Sequence, residues 1–372
     1  MSIEVRFGKS FHPGAKEAVR ELEAQVGDIE PNALIFFCSP KYDHAALGRA
    51  IQSTFDCPAI GCTTAGEILG SEGYIEGAIV CAAIASDQLT LKPILIGDLR
   101  AFVSDANPRE LAELACLEQR NSFALLLIDG LSMLEELVAS RINNALMGIP
   151  LVGASAGDGL DFAHTRVYHN GAFHENIAVL AAVETSLPFL PFHTQHFEPT
   201  DTRLVITEAD PATRTVTEIN GLPAVEEYAR VVGMDIDRLT SHVFAIHPLM
   251  LKIGGGYYVR EIQKVNPDGS LTFFCAIDTG IVLTVAKPSS EGIITNLENS
   301  LNNIWQRIPN PVLLFGGDCA LRRLEMQQHG ELEQARRALS RYPFIGFSTY
   351  GEQFFGVHMN HTLTILALGD EA

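Results

Sequence analysis

Three stretches decide how this chain reads: PAIGCTTAGE at Pro58–Glu67, PLVGASAGD at Pro150–Asp158 and PFIGFSTYGE at Pro343–Glu352. Each runs proline, two apolar residues, glycine, one further residue, a hydroxyl residue and a closing glycine–acid pair. The middle copy is one residue shorter. A pattern repeated at three distant places points to internal duplication.

The text upstream of each copy supports this. NALIFFCSP (Asn32–Pro40), SFALLLIDG (Ser122–Gly130) and PVLLFGGDC (Pro311–Cys319) are short apolar runs ending in turn-forming residues, the pattern of strands buried on both faces. A helical stretch follows each. Asp43 caps the first, with Leu47, Ala50, Ile51 and Phe55 on one face. Ser132 and Glu135 have capping-box spacing for the second, with Leu134, Leu137, Val138, Ile142 and Leu146 behind them. The third carries Leu321 and Leu324, then Gly330, then Leu332, Ala335 and Leu339. Each unit therefore predicts strand, helix, strand and glycine turn, with the proline opening the second strand where its missing N–H is tolerated. A strand-to-strand spacing of roughly 30 residues suits a βαβ crossover.

Outside the units, Gly14–Val26 predicts a helix, and Gly73–Ser86 and Glu175–Glu184 predict buried strands. Thr165–Glu175 predicts a hairpin turning at Asn170-Gly171. A proline-rich crossing, Leu187–Thr200, sets a domain boundary, giving 1–200 and 201–372. The second part predicts a meander: strands, a turn at Asn220-Gly221, a helix from near Pro223, a turn at Asn266–Gly269 and a returning strand at Leu271–Ala276. The chain closes on a strand, His361–Leu368. The expected fold class is α/β, with duplicated βαβ units, mixed sheets and antiparallel strands in two domains.

The chain has 372 residues, which favours two domains over one core. Its 47% apolar and 19% charged residues exclude a disordered chain. A net charge of -19 argues against nucleic acid and anionic membrane as partners, since both require clustered Lys and Arg. Seven cysteines (38, 57, 62, 81, 116, 275, 319), without a CxxC, read as reduced and mostly buried thiols. The opening MSIEVRFGKS lacks the apolar core of a signal peptide, and no apolar run reaches membrane-spanning length. A cytoplasmic location is the expectation.

GCTTAGEI, GASAGDG followed by TRVYHNGA, INGLPAVEEY, YYVREI, LLFGGDCALRRL, PFIGFSTYGE and HMNHTLTILAL occur in this order. Together they resemble the FIST (F-box and intracellular signal transduction) family, from about Pro31 to Leu368. Gly317-Asp318-Cys319-Ala320-Leu321-Arg322 stands where the family commonly has a Cys-x-Gly-Arg-like sequence. The resemblance implies an intracellular sensor of small molecules such as amino acids. It also implies a haem-bound nitric oxide sensor regulating a separate histidine kinase as an alternative. No kinase, cyclase or F-box text is present, so signalling would run through a partner protein.

In the turns, Thr63, Ser155 and Ser348 can hydrogen-bond a ligand, Gly66 and Gly351 allow close backbone approach, and Glu67, Asp158 and Glu352 can receive an ammonium group. The competing reading is that these are tight turns which the duplicated architecture needs anyway. Arg260 can pair a ligand carboxylate or a buried glutamate. Gly153-Ala154-Ser155-Ala156-Gly157 matches G-x-S-x-G, but the helix that a serine nucleophile needs does not follow. Gly254-Gly255-Gly256 lacks a following Gly-Lys-Ser/Thr and reads as a hinge or a close backbone approach. No HExxH, zinc spacing or CxxCH is present, which excludes a covalent c-type haem. A non-covalent haem b needs one histidine, and His247, His358 and His361 are the candidates.

Overall fold

The structure, a computed structural model, describes residues 3–114 and 117–370. Cys116 lies outside the described residues. The sequence repeat becomes three units of the same plan.

In the first unit, strands Glu4–Ser10, Ile79–Ala85, Ala33–Cys38 and Ala59–Thr63 lie side by side. Ala33–Cys38 and Ala59–Thr63 are parallel and joined by helix His44–Thr54. In the second, Leu89–Ile96, Ala178–Thr185, Ser122–Ile128 and Leu151–Ser155 repeat the order, with helix Glu135–Leu146 as the crossover. In the third the order is Phe189–Thr194, Leu363–Gly369, Pro311–Cys319 and Phe344–Thr349.

Each sheet is completed by a hairpin from a different unit. Glu67–Leu69 with Gly73–Ile75, from the first unit, pairs with the third unit's Phe344–Thr349. Val167–His169 with Ala172–His174 pairs with the first unit's Ala59–Thr63. Glu352–Phe354 with Val357–Met359 pairs with the second unit's Leu151–Ser155. The exchange closes into a ring.

Side-chain alternation explains the unbroken apolar strands. Ile35, Phe37, Leu125, Leu127, Phe315 and Phe347 point into one core shared by the three sheets. Leu34 and Phe36, Leu126 and Ile128, and Leu314 point outward under each unit's own helices. A strand with both faces covered has no polar positions to alternate.

An antiparallel sheet of eight strands, spanning 197–288, is inserted after the third unit's first strand. It carries its own core, with Leu204, Tyr228, Phe273 and Leu283. Arg214 ties it to the second unit: Nη2 meets Glu135 at 2.5 Å and Glu136 at 3.0 Å, and Nη1 donates to the Phe274 carbonyl.

Several local expectations hold. Asp43 caps its helix by accepting from Ala46 N–H at 3.0 Å. Asn170-Gly171 and Asn220-Gly221 turn with positive φ. Others do not. Glu135 does not form a capping box with Ser132, because its buried carboxylate faces Arg214 and the helix begins at Glu135 itself. Leu137 and Leu324 are exposed, and on helix Ala320–Gln328 the buried positions belong to Arg322 and Met326. The returning strand stops at Phe273. Gly254 and Gly255 form the tip of a hairpin with nothing near either α-carbon, so the glycines supply positive φ and neither a hinge nor a close contact.

Candidate functional site

The three glycine turns meet. Ala65 N–H donates to Ser348 O and Ser348 N–H to Gly66 O. Ser155 N–H donates to Gly351 O and Tyr350 N–H to Ser155 O. Gly157 N–H and Gly159 N–H donate to Thr63 O and Thr64 O. Each turn thus bonds both others through backbone, and little of that backbone is left for a ligand.

The hydroxyls at the centre are enclosed. Thr63 Oγ1 accepts from Arg166 N–H at 2.9 Å. Ser155 Oγ accepts from Gln353 Nε2 at 2.9 Å. Ser348 Oγ is buried without a partner. After Ser155 the chain runs through irregular residues to the strand Val167–His169, so the G-x-S-x-G match has no nucleophile-elbow geometry.

The acids divide differently from the sequence pattern. Glu67 accepts Thr64 Oγ1 at 2.6 Å and Ala78 N–H at 3.1 Å. Glu352 accepts Thr349 Oγ1, Thr362 Oγ1 and Thr362 N–H. Desolvation pushes both carboxyls up, to about 7 and about 8. Asp158 is not their third equivalent. Register puts Val167 in that place, and Asp129 supplies the carboxylate, accepting Thr165 Oγ1 and Asn176 N–H. Asp158 organises its own loop instead, accepting Phe162, Ala163 and His164 N–H and the Tyr350 hydroxyl. Those bonds hold its carboxyl below the usual range although desolvation opposes them.

One cleft opens beside these turns. About 250 Å³ is lined by Ser39, Pro40, Lys41, Thr64–Glu67, Glu76, Gly77, Asp158, Gly159 and Asp161. It sits past the carboxyl ends of the parallel strands Ala33–Cys38 and Ala59–Thr63, where open α/β sheets bind ligands. Lys41 and Asp161 form no ion pair among the described residues, so the cleft offers one free cation and one free anion. Arg323 reaches behind it from the third unit to Ala65 O at 2.7 Å and to Glu76. A methyl on Gly66 would strike the Arg323 guanidinium.

Of the turn residues singled out from sequence, Gly66, Glu67 and Asp158 line this cleft, while Thr63, Ser155, Ser348, Gly351 and Glu352 do not. Lys41, Asp161 and Arg323 were missed. The polar loop SPKYD, between an apolar strand and a capped helix, was the available signal for Lys41.

Arg260 is buried elsewhere, at the seam between the inserted sheet and the third unit's hairpin. Its Nη1 donates to His358 O at 2.8 Å, and it does not pair a glutamate. His361 and His358 do not fit a haem. His361 has both ring nitrogens engaged, Nδ1 with Glu261 at 3.4 Å and Nε2 with Glu325 at 2.8 Å. Although desolvation lowers its pKa, these carboxylates raise it to about 9. His358 is fully enclosed, its Nδ1 on Gln353 and its ring against Gly351. His247 is half-buried and held down by desolvation. None of the three lines the cleft. Among the described residues no cluster of His, Cys, Asp and Glu could hold a metal ion.

Among the described residues no helix is long and apolar enough to cross a membrane. An uncharacterized protein of Methanocaldococcus jannaschii is 22% identical over 321 residues, covering 79% of this chain. The chain spans 60% of that relative's length. Two cyanuric acid hydrolase structures are similar at low score. One, from A. caulinodans, has TM-score 0.27 at 10% identity, over 50% of this chain and 71% of that one. The other has TM-score 0.34 at 9% identity, over 99% and 100%. Scores this low assign neither fold nor activity. A FIST N domain matches residues 32–222 and a FIST C domain matches 224–355, so that nearly the whole ring of units and the inserted sheet are covered, and this chain belongs to the FIST family.

Proposed function

We propose that the chain is a sensory protein that binds a small zwitterionic ligand, of the amino-acid class, in the cleft beside the first and second turns. FIST domains are signal-transduction sensor domains. The observation that carries the ligand reading is the pair of unspent opposite charges, Lys41 and Asp161, on one small cleft. Lys41 suits a carboxylate and Asp161 an ammonium group. Glu67 backs the cleft wall, fully buried and bonded to Thr64 and Ala78.

The cleft walls come from the first two units, and Arg323 braces them from the third. A ligand that draws Glu76 or the Asp158 loop inward therefore pulls on the third unit. The altered surface would be read by a separate protein such as a histidine kinase, and that reading requires unequal ligand affinity for two arrangements. No catalytic step is assigned to Ser155 or any other residue.

The test is a thermal-shift and calorimetric screen of the common amino acids against wild type, Lys41→Ala and Asp161→Ala. One ligand class should raise Tm in wild type and lose at least tenfold in affinity in both variants. A wild-type response that both variants retain in full would place the ligand elsewhere. No response to any amino acid would end the zwitterion reading.

A further inference from the structure

Among the described residues, three arginines are buried: Arg214, Arg260 and Arg322. Arg214 faces Glu135 and Glu136, and Arg322 faces Asp318 at 2.7 Å. Among the described residues, Arg260 faces no carboxylate within ion-pair distance. Its sequence neighbour Glu261 is turned to His361, and Glu136 is spent on Arg214 and Ala276 N–H. A buried guanidinium without a counter-charge is strongly disfavoured unless something supplies one.

The way Arg260 is held leaves a particular edge open. Nη1 donates to the carbonyls of His358 at 2.8 Å and Val259 at 3.2 Å. Nε and Nη2 make no hydrogen bond among the described residues. Unlike the orphaned atoms of His358 and Asn360, they are not sealed from solvent. Nε–H and one Nη2–H are parallel, the fork that matches two carboxylate oxygens.

The neighbourhood holds further unspent polar groups. His358 is 2% exposed and its Nε2 has no partner, and Asn360 is 1% exposed with both amide atoms unpartnered. Both stand over the bare α-carbon of Gly351. A methyl there would lie 2.8 Å from His358 Nε2 and 3.3 Å from Asn360 Nδ2. These atoms are sealed and packed against Gly351, so they form no part of the opening that the Arg260 fork faces.

We propose that Arg260 is the anchor of a second binding site for a small carboxylate of formate or acetate size. The anion is held by the Nε/Nη2 fork. The site is separate from the cleft, none of whose lining residues it uses. It lies where the inserted strand Gly256–Arg260 meets the hairpin Glu352–Met359. Occupancy would therefore fasten the inserted sheet to the ring of units.

The experiment measures formate binding by calorimetry, and Tm in sodium formate and sodium acetate against sodium chloride at matched ionic strength. Wild type, Arg260→Lys, Asn360→Ala and Lys41→Ala are compared as full-length chains. Formate and acetate should raise wild-type Tm above chloride. Arg260→Lys keeps the charge but lacks the fork, and should lose at least tenfold in affinity. Asn360→Ala and Lys41→Ala should both keep wild-type affinity for formate. A wild-type response no larger than that to chloride overturns the proposal, as does undiminished binding by Arg260→Lys. Loss of formate binding in Lys41→Ala would also overturn it, by moving the anion to the cleft, whereas the amino-acid screen fails or succeeds independently.

Discussion

Glu67 and Glu352 make the same contacts in two different sheets. Each accepts the hydroxyl of the threonine three residues before it, Thr64 or Thr349, and a backbone N–H 11 or 10 residues after it, from Ala78 or Thr362. Both are fully buried. The equivalence is stronger than the sequence pattern, because Asp158, which completes that pattern, stands somewhere else in space.

Both carboxyls have folded-state pKa values above the ordinary 4.5, at about 7 and about 8, with desolvation the main cause. The folded state therefore holds protons that the unfolded state has released. Stability should be highest near pH 5 and fall as pH rises through 7 to 8, by on the order of 3 kcal/mol per group. Urea midpoints of wild type, Glu67→Gln and Glu352→Gln across pH 5–9 check this. Each substitution should flatten the slope. A wild type whose midpoint rises over that range would contradict the assignment.

His361 sits between Glu261 and Glu325, and its second carboxylate also contacts His196 at 2.9 Å. Because its pKa is raised to about 9, the imidazolium contributes stability that is present below pH 6.5 and disappears as pH climbs through 9. Glu325→Gln should cost about 3–5 kcal/mol at pH 7 by leaving a buried charge poorly compensated. It should also lower the pKa of His361. An NMR titration that finds His361 already at or below 6.5 in wild type would refute the ion-pair geometry.

Gly351 and Gly27 separate backbone strain from crowding. Both have positive φ, 153° and 72°, but a methyl on Gly27 meets open space while one on Gly351 lies 2.3 Å from His358 Cε1. Gly27→Ala should cost about 1 kcal/mol. Gly351→Ala should cost at least about 3 kcal/mol, since the buried ring has nowhere to go. Equal losses in the two variants would mean that the hairpin yields easily and that the central junction is soft.

Much of the architecture was legible because it depends on local patterns. The apolar strands, the Asp43 cap, the Asn-Gly turns and the threefold repetition are all written in contiguous residues. What was hidden is long-range. Nothing in the run from Gly66 to Ile75 says that this hairpin will pair with Phe344–Thr349 rather than with its own sheet. Leu137 and Leu324 fit a helical apolar face, yet Glu135 and Arg322 take buried positions because partners from elsewhere, Arg214 and Asp318, neutralise them. The turn glycines were found for a sound reason, their φ and close approach, but most of them serve the contact between turns. Lys41 and Asp161 are single polar residues in loops, and only the fold brings them to one cleft.

The hairpin exchange also sets a schedule for a chain made from its N-terminus. The first unit's sheet is complete once His174 has emerged, because the second unit lends it Val167–His174. The first unit's own hairpin has to wait until Phe344–Thr349 is made, and the second unit's sheet stays open at Leu151–Ser155 until Glu352–Phe354 arrives. For most of synthesis the nascent protein therefore carries an unpaired, apolar strand edge and an unhoused hairpin. A ribosome stalled between Ile219 and Phe344 would hold a chain ready to take its missing strands from a neighbouring copy, and two fragments cut in that interval would contain everything needed to find each other.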